Sequence, residues 1–219
     1  MRLFAALETP CDIAEEIDAW WQEAVTHIPS SDWRDVPIKN WHVTLAFYGE
    51  VNGSDVDDLA EALAEYVRGT TKLPPARFSR PREGEEPGVH GPLALRSNGF
   101  GAFPRFSKPQ VLWAGVDDSD NSGRLKEMAR CCRRAGHATV RKRSAKVPPF
   151  RGHITLARGN EFTAPIGAEM LAEIPPFPEL TWLADSLVLY QSILRPEGAK
   201  YRKLEEFMFD VSRSGRRVG

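Results

Sequence analysis

Residues 42–45 read His-Val-Thr-Leu, and residues 153–156 read His-Ile-Thr-Leu. In an extended chain successive side chains point to opposite faces, so the histidine and threonine of each copy share one face and the aliphatic residues share the other. Each copy therefore presents an imidazole beside a hydroxyl and is anchored from behind by apolar side chains. The copies lie about half the chain apart. This spacing predicts two related halves that each contribute one strand to a common cleft.

The composition is that of an ordinary globular protein. The chain has 219 residues, 42% of them hydrophobic and 27% charged, with a formal net charge of −1. We expect one domain over residues 1–211 and a disordered tail over residues 212–219. No apolar run reaches the roughly 18 to 20 residues of a membrane span, and the N-terminal apolar stretch is too short for a secretory signal. We therefore expect a cytoplasmic monomer that does not enter a membrane.

Charge and metal-ligand patterns narrow the classes of function. The near-neutral charge argues against coating of a nucleic-acid duplex, although gripping one end of a strand stays open. Cys11, Cys131 and Cys132 form no CxxC pair and no even disulfide framework, so we interpret them as reduced packing residues. No HxH, HExxH or clustered Asp and His motif is present, and we expect neither a metal nor a cofactor.

Hydrophobic periodicity predicts strands that alternate with helices, without a doubly wound nucleotide fingerprint. This pattern indicates an α+β fold with two sheet-bearing lobes and helices on their outer faces. We also predict an exposed loop from Gly69 to Gly91, a turn at Gly99–Phe103 and a helix end at Gly136. Strands are predicted at Arg2–Leu7, Trp41–Tyr48, Pro92–Arg96, Gln110–Val116, Phe150–Ala157, Trp182–Leu189 and Tyr201–Phe209, and helices at Asp12–His27, after an N-cap at Ser54, at Gly123–Ala135 and at Ala168–Ile174.

The two motif histidines, His42 and His153, suit general acid–base catalysis. Imidazole holds or releases a proton near neutral pH, so two of them facing one substrate can serve as acid and base. Displacement at phosphorus needs both functions, together with donors for the charge on the non-bridging oxygens. The hydroxyls of Thr44 and Thr155 are suitable donors. The motif pair therefore indicates a phosphoester-cleaving site.

The two copies differ in the residues that follow them. Arg158, three residues after Thr155, would supply a forked cationic donor to phosphate. Strand alternation places it on the opposite face unless the strand ends or bulges, and Gly159 favours such a break. The first copy is followed by Ala46 and Phe47. Phe47, Phe100 and Phe103 are candidates to stack on a terminal base, although core packing is the better interpretation for most of them.

A third HxT pattern and a basic run follow the predicted helix at Gly123–Ala135. The segment His137-Ala138-Thr139-Val140 also fits the HxT pattern, but it follows a predicted helix end and precedes a basic run. We interpret His137 as a surface or helix-capping imidazole and exclude it from the site. The basic run 141–146 is interpreted as a solvated segment, with guidance of an RNA backbone as the alternative.

Several segments together resemble the two-histidine phosphoesterase superfamily, and within it the bacterial and archaeal RNA 2′,3′-cyclic phosphodiesterases, also called 2′-5′ RNA ligases. The resemblance spans nearly the whole chain and implies a bilobal fold. It implies two antiparallel-rich sheets related by a pseudo-two-fold axis, with the active-site cleft between the lobes. The segments are the paired HxTL motifs, Arg2–Leu7, Gly101–Pro104, Val111–Gly115, Phe150–His153 and Gly198–Tyr201.

The resemblance also implies an activity and its roles. The reaction is a metal-independent opening of a 2′,3′-cyclic phosphate at an RNA end to a 2′-phosphomonoester, with nucleotides as further ligands. His42 would be the proton donor to the departing ribose oxygen, and His153 the proton acceptor from water. Many relatives carry Arg after the first motif and Pro before the second histidine, whereas this chain has Ala46 and Gly152. These departures would make phosphate binding more dependent on Arg158 and would loosen the start of the second motif strand.

The sequence leaves three alternative functions open. The same histidine pair running backward would join 2′,5′ ends, so reversible ligation is one alternative. A different small cyclic phosphate, such as a cyclic nucleotide or an ADP-ribose cyclic phosphate, is another. The alternative of another class is a non-catalytic RNA-end-binding module whose histidines only hydrogen-bond phosphate.

Overall fold

The computed structural model describes residues 1–29, 33–69, 91–140, 149–195 and 198–210. Three predicted segments lie wholly or largely outside the described residues: positions 70–90 of the predicted loop Gly69–Gly91, the basic run 141–146 and the tail 212–219. The described strands are β1 Arg2–Glu8, β2 Arg34–Asp35, β3 His42–Glu50, β4 Leu93–Arg105, β5 Lys108–Asp118, β6 His153–Arg158, β7 Thr181–Ala184, β8 Ser186–Arg195 and β9 Gly198–Met208. The described α-helices are α1 Cys11–Ala24, α2 Val56–Arg68, α3 Arg124–Thr139 and α4 Ala168–Glu173.

The strands within the described residues join in one sheet with the order β7-β4-β5-β6-β3-β1-β8-β9, and β2 also pairs with β6. Every pairing is antiparallel. The order is symmetric about its centre, because each motif strand is the innermost strand of a four-stranded half. The two halves meet at the pair Val43–Ile154. The predicted α+β class is confirmed. The two antiparallel-rich sheets that the sequence predicts are joined through β3 and β6 as the halves of one sheet.

The hydrophobic core lies between the helices and one face of this sheet. Helix α1 contributes Ile17 and Trp21, and α2 contributes Leu59 and Leu63, all at most 1% exposed. Residues four apart lie on the same side of a helix, so each pair faces the sheet together. The other face of the sheet is left for the cleft.

Helix α3 continues past the helix end predicted at Gly136. This prediction is wrong because the glycine serves close packing instead of termination: a Cβ atom on Gly136 would lie 2.5 Å from Cδ1 of Tyr48. The missing side chain lets α3 approach β3 closely. His137 follows in the last turn and is exposed, as predicted.

The turn predicted at Gly99–Phe103 is also wrong, because β4 runs through it to Arg105. The pairing of β4 with β5 shifts between Ser97 and Phe100, so the glycine-containing segment marks an irregularity within a strand. The sequence pattern of a glycine-rich segment is the same for a turn between strands and for an irregularity within one strand.

The predictions around Asp185 and Ser54 also differ from the structure. The strand predicted over Trp182–Leu189 is two strands, because the chain changes partners at Asp185: β7 pairs with β4, whereas β8 pairs with β1 and β9. Ser54 is not the N-cap of α2 but lies in the 3₁₀ turn Gly53–Asp55 that precedes it. Both differences depend on tertiary contacts that a periodicity pattern does not contain.

All three cysteines are free, with Cys131 and Cys132 buried and Cys11 exposed. Among the described residues, no helix combines the length and the apolar character needed to cross a membrane.

Candidate active site

The first six residues of β3 and of β6 share one pattern of exposure. In each strand the histidine and threonine are half-buried, and the residue between them is buried. The two residues after the threonine are buried, and the sixth is exposed. The predicted division into an apolar rear face and a polar front face is therefore present in both motifs.

The pairing of β3 with β6 brings the two motifs side by side. Val43 pairs with Ile154 in antiparallel register. Neighbours on either side of such a pair also lie opposite each other. The four polar motif residues therefore form a square on one face of the sheet: His42 opposite Thr155, and Thr44 opposite His153.

The two histidines occupy a diagonal of this square. Diagonal neighbours across two strands have Cβ atoms about 7–8 Å apart, a gap that two imidazoles and one phosphate can fill. The charge of His153 contributes to lowering the pKa of His42, which is consistent with this closeness. The structure thus brings together His42 and His153 as the sequence predicted.

Each imidazole is held by the backbone carbonyl two residues before it. Nδ1 of His42 donates to the Asn40 carbonyl at 2.7 Å, and Nδ1 of His153 donates to the Arg151 carbonyl at 2.8 Å. A carbonyl oxygen only accepts hydrogen bonds, so Nδ1 carries the hydrogen in both rings. Nε2 is left in each histidine as the atom that can exchange a proton with a ligand.

His42 lies in the more enclosed of the two environments. Its Nε2 accepts from the Thr44 hydroxyl at 2.9 Å, and its ring contacts Phe4 at 4.9 Å and Tyr201 at 5.2 Å between centroids. Burial lowers the pKa of His42 to about 4, with smaller contributions from the charges of His153 and Arg158. In the free protein this imidazole is neutral at neutral pH.

His153 lies beside two arginines and two aromatic rings. Its ring packs edge-on against Phe103 at 5.0 Å and lies 6.2 Å from Trp113. Burial lowers the pKa of His153, and the charges of Arg158 and Arg151 lower it further. Among the described residues no hydrogen bond links its Nε2 to Thr155, so this nitrogen is open to a ligand.

A β-bulge at Leu156 places Arg158 on the same face as the motif threonine. Trp113 pairs with Thr155, whereas the preceding Leu112 pairs with Ala157, so Leu156 is the extra residue. The break that Arg158 needs to reach this face therefore lies at Leu156 and not at Gly159, where it was expected. The charge of Arg158 lowers the pKa of both histidines, which is consistent with a position near both rings.

The first motif strand has a matching bulge at Leu45. Ala5 pairs with Ala46 and Ala6 pairs with Thr44, which leaves Leu45 unpaired in this register. The bulge returns Phe47 to the face that carries the histidine. Phe47 is 73% exposed and lies 5.7 Å from Phe4, so core packing does not account for it.

The start of β6 is held tightly at Gly152, contrary to the prediction that glycine loosens it. Gly152 is buried, and its carbonyl accepts from the Val116 amide at 3.0 Å. A Cβ atom there would overlap the Val116 carbonyl oxygen. The absence of a side chain thus permits the close approach of β5.

Sequence reasoning missed a polar group beside His42. Glu8 pairs with His42 across β1 and β3. Its carboxylate accepts from the Tyr190 hydroxyl and lies 2.9 Å from Nζ of Lys203. These residues come from β1, β8 and β9, and only the sheet register brings them together. The segment containing Tyr201 was noted as part of the resemblance, but not as a wall of the site.

Metal ligation has no obvious site in the described part of the chain, where no three His, Cys, Asp or Glu side chains form a group that could hold an ion. Besides the Glu8 carboxylate and the Lys203 ammonium group, the polar groups that converge on the cleft are imidazoles, hydroxyls and guanidinium groups. These groups suit an anionic ligand and proton transfer to or from it.

The symmetric sheet and the paired HxT strands define a two-histidine phosphoesterase. The chain belongs to the 2′-5′ RNA ligase superfamily, whose family model matches residues 9–194. It is similar to the RNA 2′,3′-cyclic phosphodiesterase of Thermotoga maritima, with 28% identity over 210 residues covering 96% of each chain.

Two comparisons with Thermus thermophilus proteins agree with this assignment. The chain is 31% identical over 214 residues to the RNA 2′,3′-cyclic phosphodiesterase of that organism, covering 94% of this chain and 89% of the relative. The crystal structure of a Thermus thermophilus protein superposes with a TM-score of 0.68 at 27% identity, covering 95% of this chain and 98% of that one.

Proposed function

We propose that this protein opens the 2′,3′-cyclic phosphate at an RNA end by addition of water and leaves a 2′-phosphomonoester. One observation carries the proposal: the Val43–Ile154 register, which sets two imidazoles and two hydroxyls around one space. The names of the similar proteins support the choice of a cyclic phosphate as the substrate. One chain supplies all four groups, which supports action as a monomer, and we propose the cytoplasm as its location.

The proton transfers follow from the positions of the two Nε2 atoms. Nε2 of His153 takes a proton from water as its oxygen bonds to phosphorus. Nε2 of His42 gives a proton to the ribose 3′ oxygen as its bond to phosphorus breaks. Thr44 and Thr155 donate to the non-bridging oxygens, where charge increases during the reaction. The division of roles between the histidines follows the resemblance, and the site's symmetry is compatible with it.

His42 must gain a proton before it can act as the donor. In the free protein the pKa of His42 is lowered to about 4, chiefly by burial. A phosphate anion between the two rings is a nearby opposite charge, which favours the protonated imidazole and raises its pKa. Substrate binding and protonation of His42 are therefore coupled in this mechanism.

Arg158 and Phe47 take different parts in binding. Arg158 supplies a cation to the phosphate at the His42 end of β6, because its charge acts on both histidines. Phe47 offers an exposed ring for the terminal base. The position after the first motif is Ala46, a buried and uncharged residue, so it provides no second cation to the cleft.

The direct test is hydrolysis of an RNA oligonucleotide that ends in a 2′,3′-cyclic phosphate, with product analysis that separates 2′- from 3′-phosphate. In single-turnover reactions His42→Ala and His153→Ala should each lose about 10² to 10⁴ in rate with a modest change in binding. His137→Ala is the matched control, since this exposed histidine lies outside the site. Wild-type binding without turnover would instead support the RNA-end-binding module.

A substrate panel tests the remaining alternatives. Adenosine 2′,3′-cyclic phosphate, an ADP-ribose cyclic phosphate and a 2′,5′-linked dinucleotide would be compared with the RNA end by kcat/KM. The family description and the reversibility of both proton transfers make 2′-5′ joining the second candidate. We expect the RNA end to be preferred and a chelator to leave the activity intact.

A further inference from the structure

Strands β3 and β2 pair with the same edge of β6, β3 near its start and β2 near its end. Val43 pairs with Ile154 near the start of β6, and Val36 N donates to Leu156 O at 2.8 Å further along. At the end of β6, Arg34 pairs with Arg158. Arg34 therefore lies beyond His42 on this edge, at the end of the cleft that His42 occupies.

Two arginines thus lie directly opposite each other on the cleft face. Paired residues of antiparallel strands have Cβ atoms about 4.5–5.5 Å apart, and like charges in that position destabilise the sheet. Both residues are exposed. Within the described residues neither Arg34 nor Arg158 makes an ion pair or a side-chain hydrogen bond.

The nearest acid in sequence does not neutralise this pair. Asp35 follows Arg34 in β2, so its side chain points to the other face, where it accepts a hydrogen bond from Nε1 of Trp21 at 3.2 Å. The two guanidinium groups therefore present more positive charge than one reacting phosphate requires. The exposed guanidinium of Arg34 is therefore available to a second anion.

The chemistry of the substrate identifies that anion. The proposed reaction releases the ribose 3′ oxygen toward His42, so the ribose lies at the His42 end. In a ribose the base and the 5′ carbon leave the ring on opposite sides of the ring oxygen. A base against Phe47, at the other end of the motif, therefore directs the 5′ carbon toward β2.

From these positions we infer that Arg34 binds the phosphate on the 5′ side of the terminal nucleotide, while Arg158 holds the cyclic phosphate. This inference rests on the proposed function. Its consequence is a substrate class: RNA ends and 5′-phosphorylated nucleotides are preferred over nucleoside cyclic phosphates, because a forked guanidinium binds a phosphate group specifically.

The kinetic test compares adenosine 2′,3′-cyclic phosphate with its 5′-phosphorylated form. The wild-type protein should prefer the 5′-phosphorylated substrate by about tenfold in kcat/KM, as expected for one charge-assisted contact. In Arg34→Gln this ratio should fall to within about twofold of unity, and Arg34→Lys should give an intermediate ratio. Arg202→Gln, the same substitution on the other face of β9, should keep the wild-type ratio.

A binding measurement keeps the inference separate from the proposed function. Calorimetry with adenosine 2′-monophosphate and adenosine 2′,5′-bisphosphate should give the same tenfold preference, and the same loss of it in Arg34→Gln. If wild type hydrolyses neither cyclic substrate, the proposed function fails, and the two binding constants still test Arg34. An unchanged ratio in Arg34→Gln, or a wild type without a preference, would overturn the inference.

Discussion

The strands β3 and β6 are built alike and surrounded differently. Each holds its histidine by a carbonyl two residues earlier, and each bulges at the leucine of its motif. In β3 the bulge presents Phe47, and aromatic rings enclose His42. In β6 the same bulge presents Arg158, and His153 lies near two arginines. The shared backbone thus positions two equal imidazoles, and the residues around them make the halves chemically unequal.

In both strands the bulge determines which side chain joins the histidine and threonine on the cleft face. Without the extra residue, strand alternation would direct Phe47 and Arg158 toward the core. A bulge reverses the alternation once, so a threonine and the residue three positions later share a face. In the proposed site one half then offers an apolar ring and the other a cation to a single ligand. Replacing matched residues in β3 and β6 tests which contributions to activity the two strands share and which belong to only one of them.

The largest expected effect is on the shared feature. His42→Gln and His153→Gln should each lower kcat by about 10² to 10⁴, because either proton transfer alone leaves the displacement incomplete. The double variant should lose little more than the worse single variant, since the two residues act as one unit. Single-turnover rates on a cyclic-ended RNA measure all three. Fully additive losses would contradict a concerted pair.

Arg158→Gln should have the next largest effect, roughly a hundredfold in kcat/KM, because a cation facing the developing charge is lost. Phe47→Gln, at the matching position of β3, is the comparison variant because it removes no charge. Steady-state kinetics on the same RNA compare the two. Equal losses in both variants would show that the halves do not divide the binding as we propose.

The two motifs also differ in the residue that precedes the histidine. Trp41 has a large buried side chain, whereas Gly152 has no side chain. Gly152→Ala should lower the free energy of unfolding by about 1–3 kcal/mol, because the new methyl group meets a backbone oxygen. Gly53→Ala is the control, as no atom lies within 4 Å of its Cβ position. Urea denaturation measures both, and equal stabilities would contradict the close packing of β5 against β6.

Phe47→Ala should raise KM about tenfold and leave kcat within about threefold, because base stacking adds to binding without taking part in proton transfer. Phe162→Ala, which removes another highly exposed ring, is the matched control. A loss confined to kcat would place Phe47 in the chemistry instead of the binding.

The smallest expected effect is a change in the pKa values of the two motif histidines. Both histidines should titrate below the ordinary value of 6.5, His42 near 4, since burial disfavours the charged imidazole. Removing the cation in Arg158→Gln favours protonation, so both pKa values should rise. NMR titration of the imidazole signals measures this, and the same experiment with adenosine 2′-monophosphate should raise the pKa of His42. A fall in either pKa in Arg158→Gln would contradict the electrostatic picture.

The same shift affects stability in a defined direction. Because the pKa of His42 is lower in the folded protein, the unfolded chain binds more protons between pH 4 and 6.5. Stability should therefore fall as pH decreases through this range. His42→Gln should reduce this dependence, which denaturation midpoints at several pH values would record.

The sequence predicted the features that depend on local pattern. The two motif strands, helices α1 and α2, and the shared face of histidine and threonine all follow from alternation and helical spacing. The sequence did not predict the bulges at Leu45 and Leu156, because a bulge is defined by the partner strand. It also misassigned Gly136 and the chain around Asp185, where Tyr48 and a change of partner strand determine the structure. The Glu8–Tyr190–Lys203 group joins residues that are far apart in sequence.

A crystal structure of the protein with adenosine 2′-monophosphate would show whether one phosphate group contacts both motif histidines. We expect the phosphate between β3 and β6, with Nε2 of His42 and Nε2 of His153 each within hydrogen-bond distance of a different phosphate oxygen. A phosphate that contacts only one of the two imidazoles, or that lies on the opposite face of the sheet, would contradict the account.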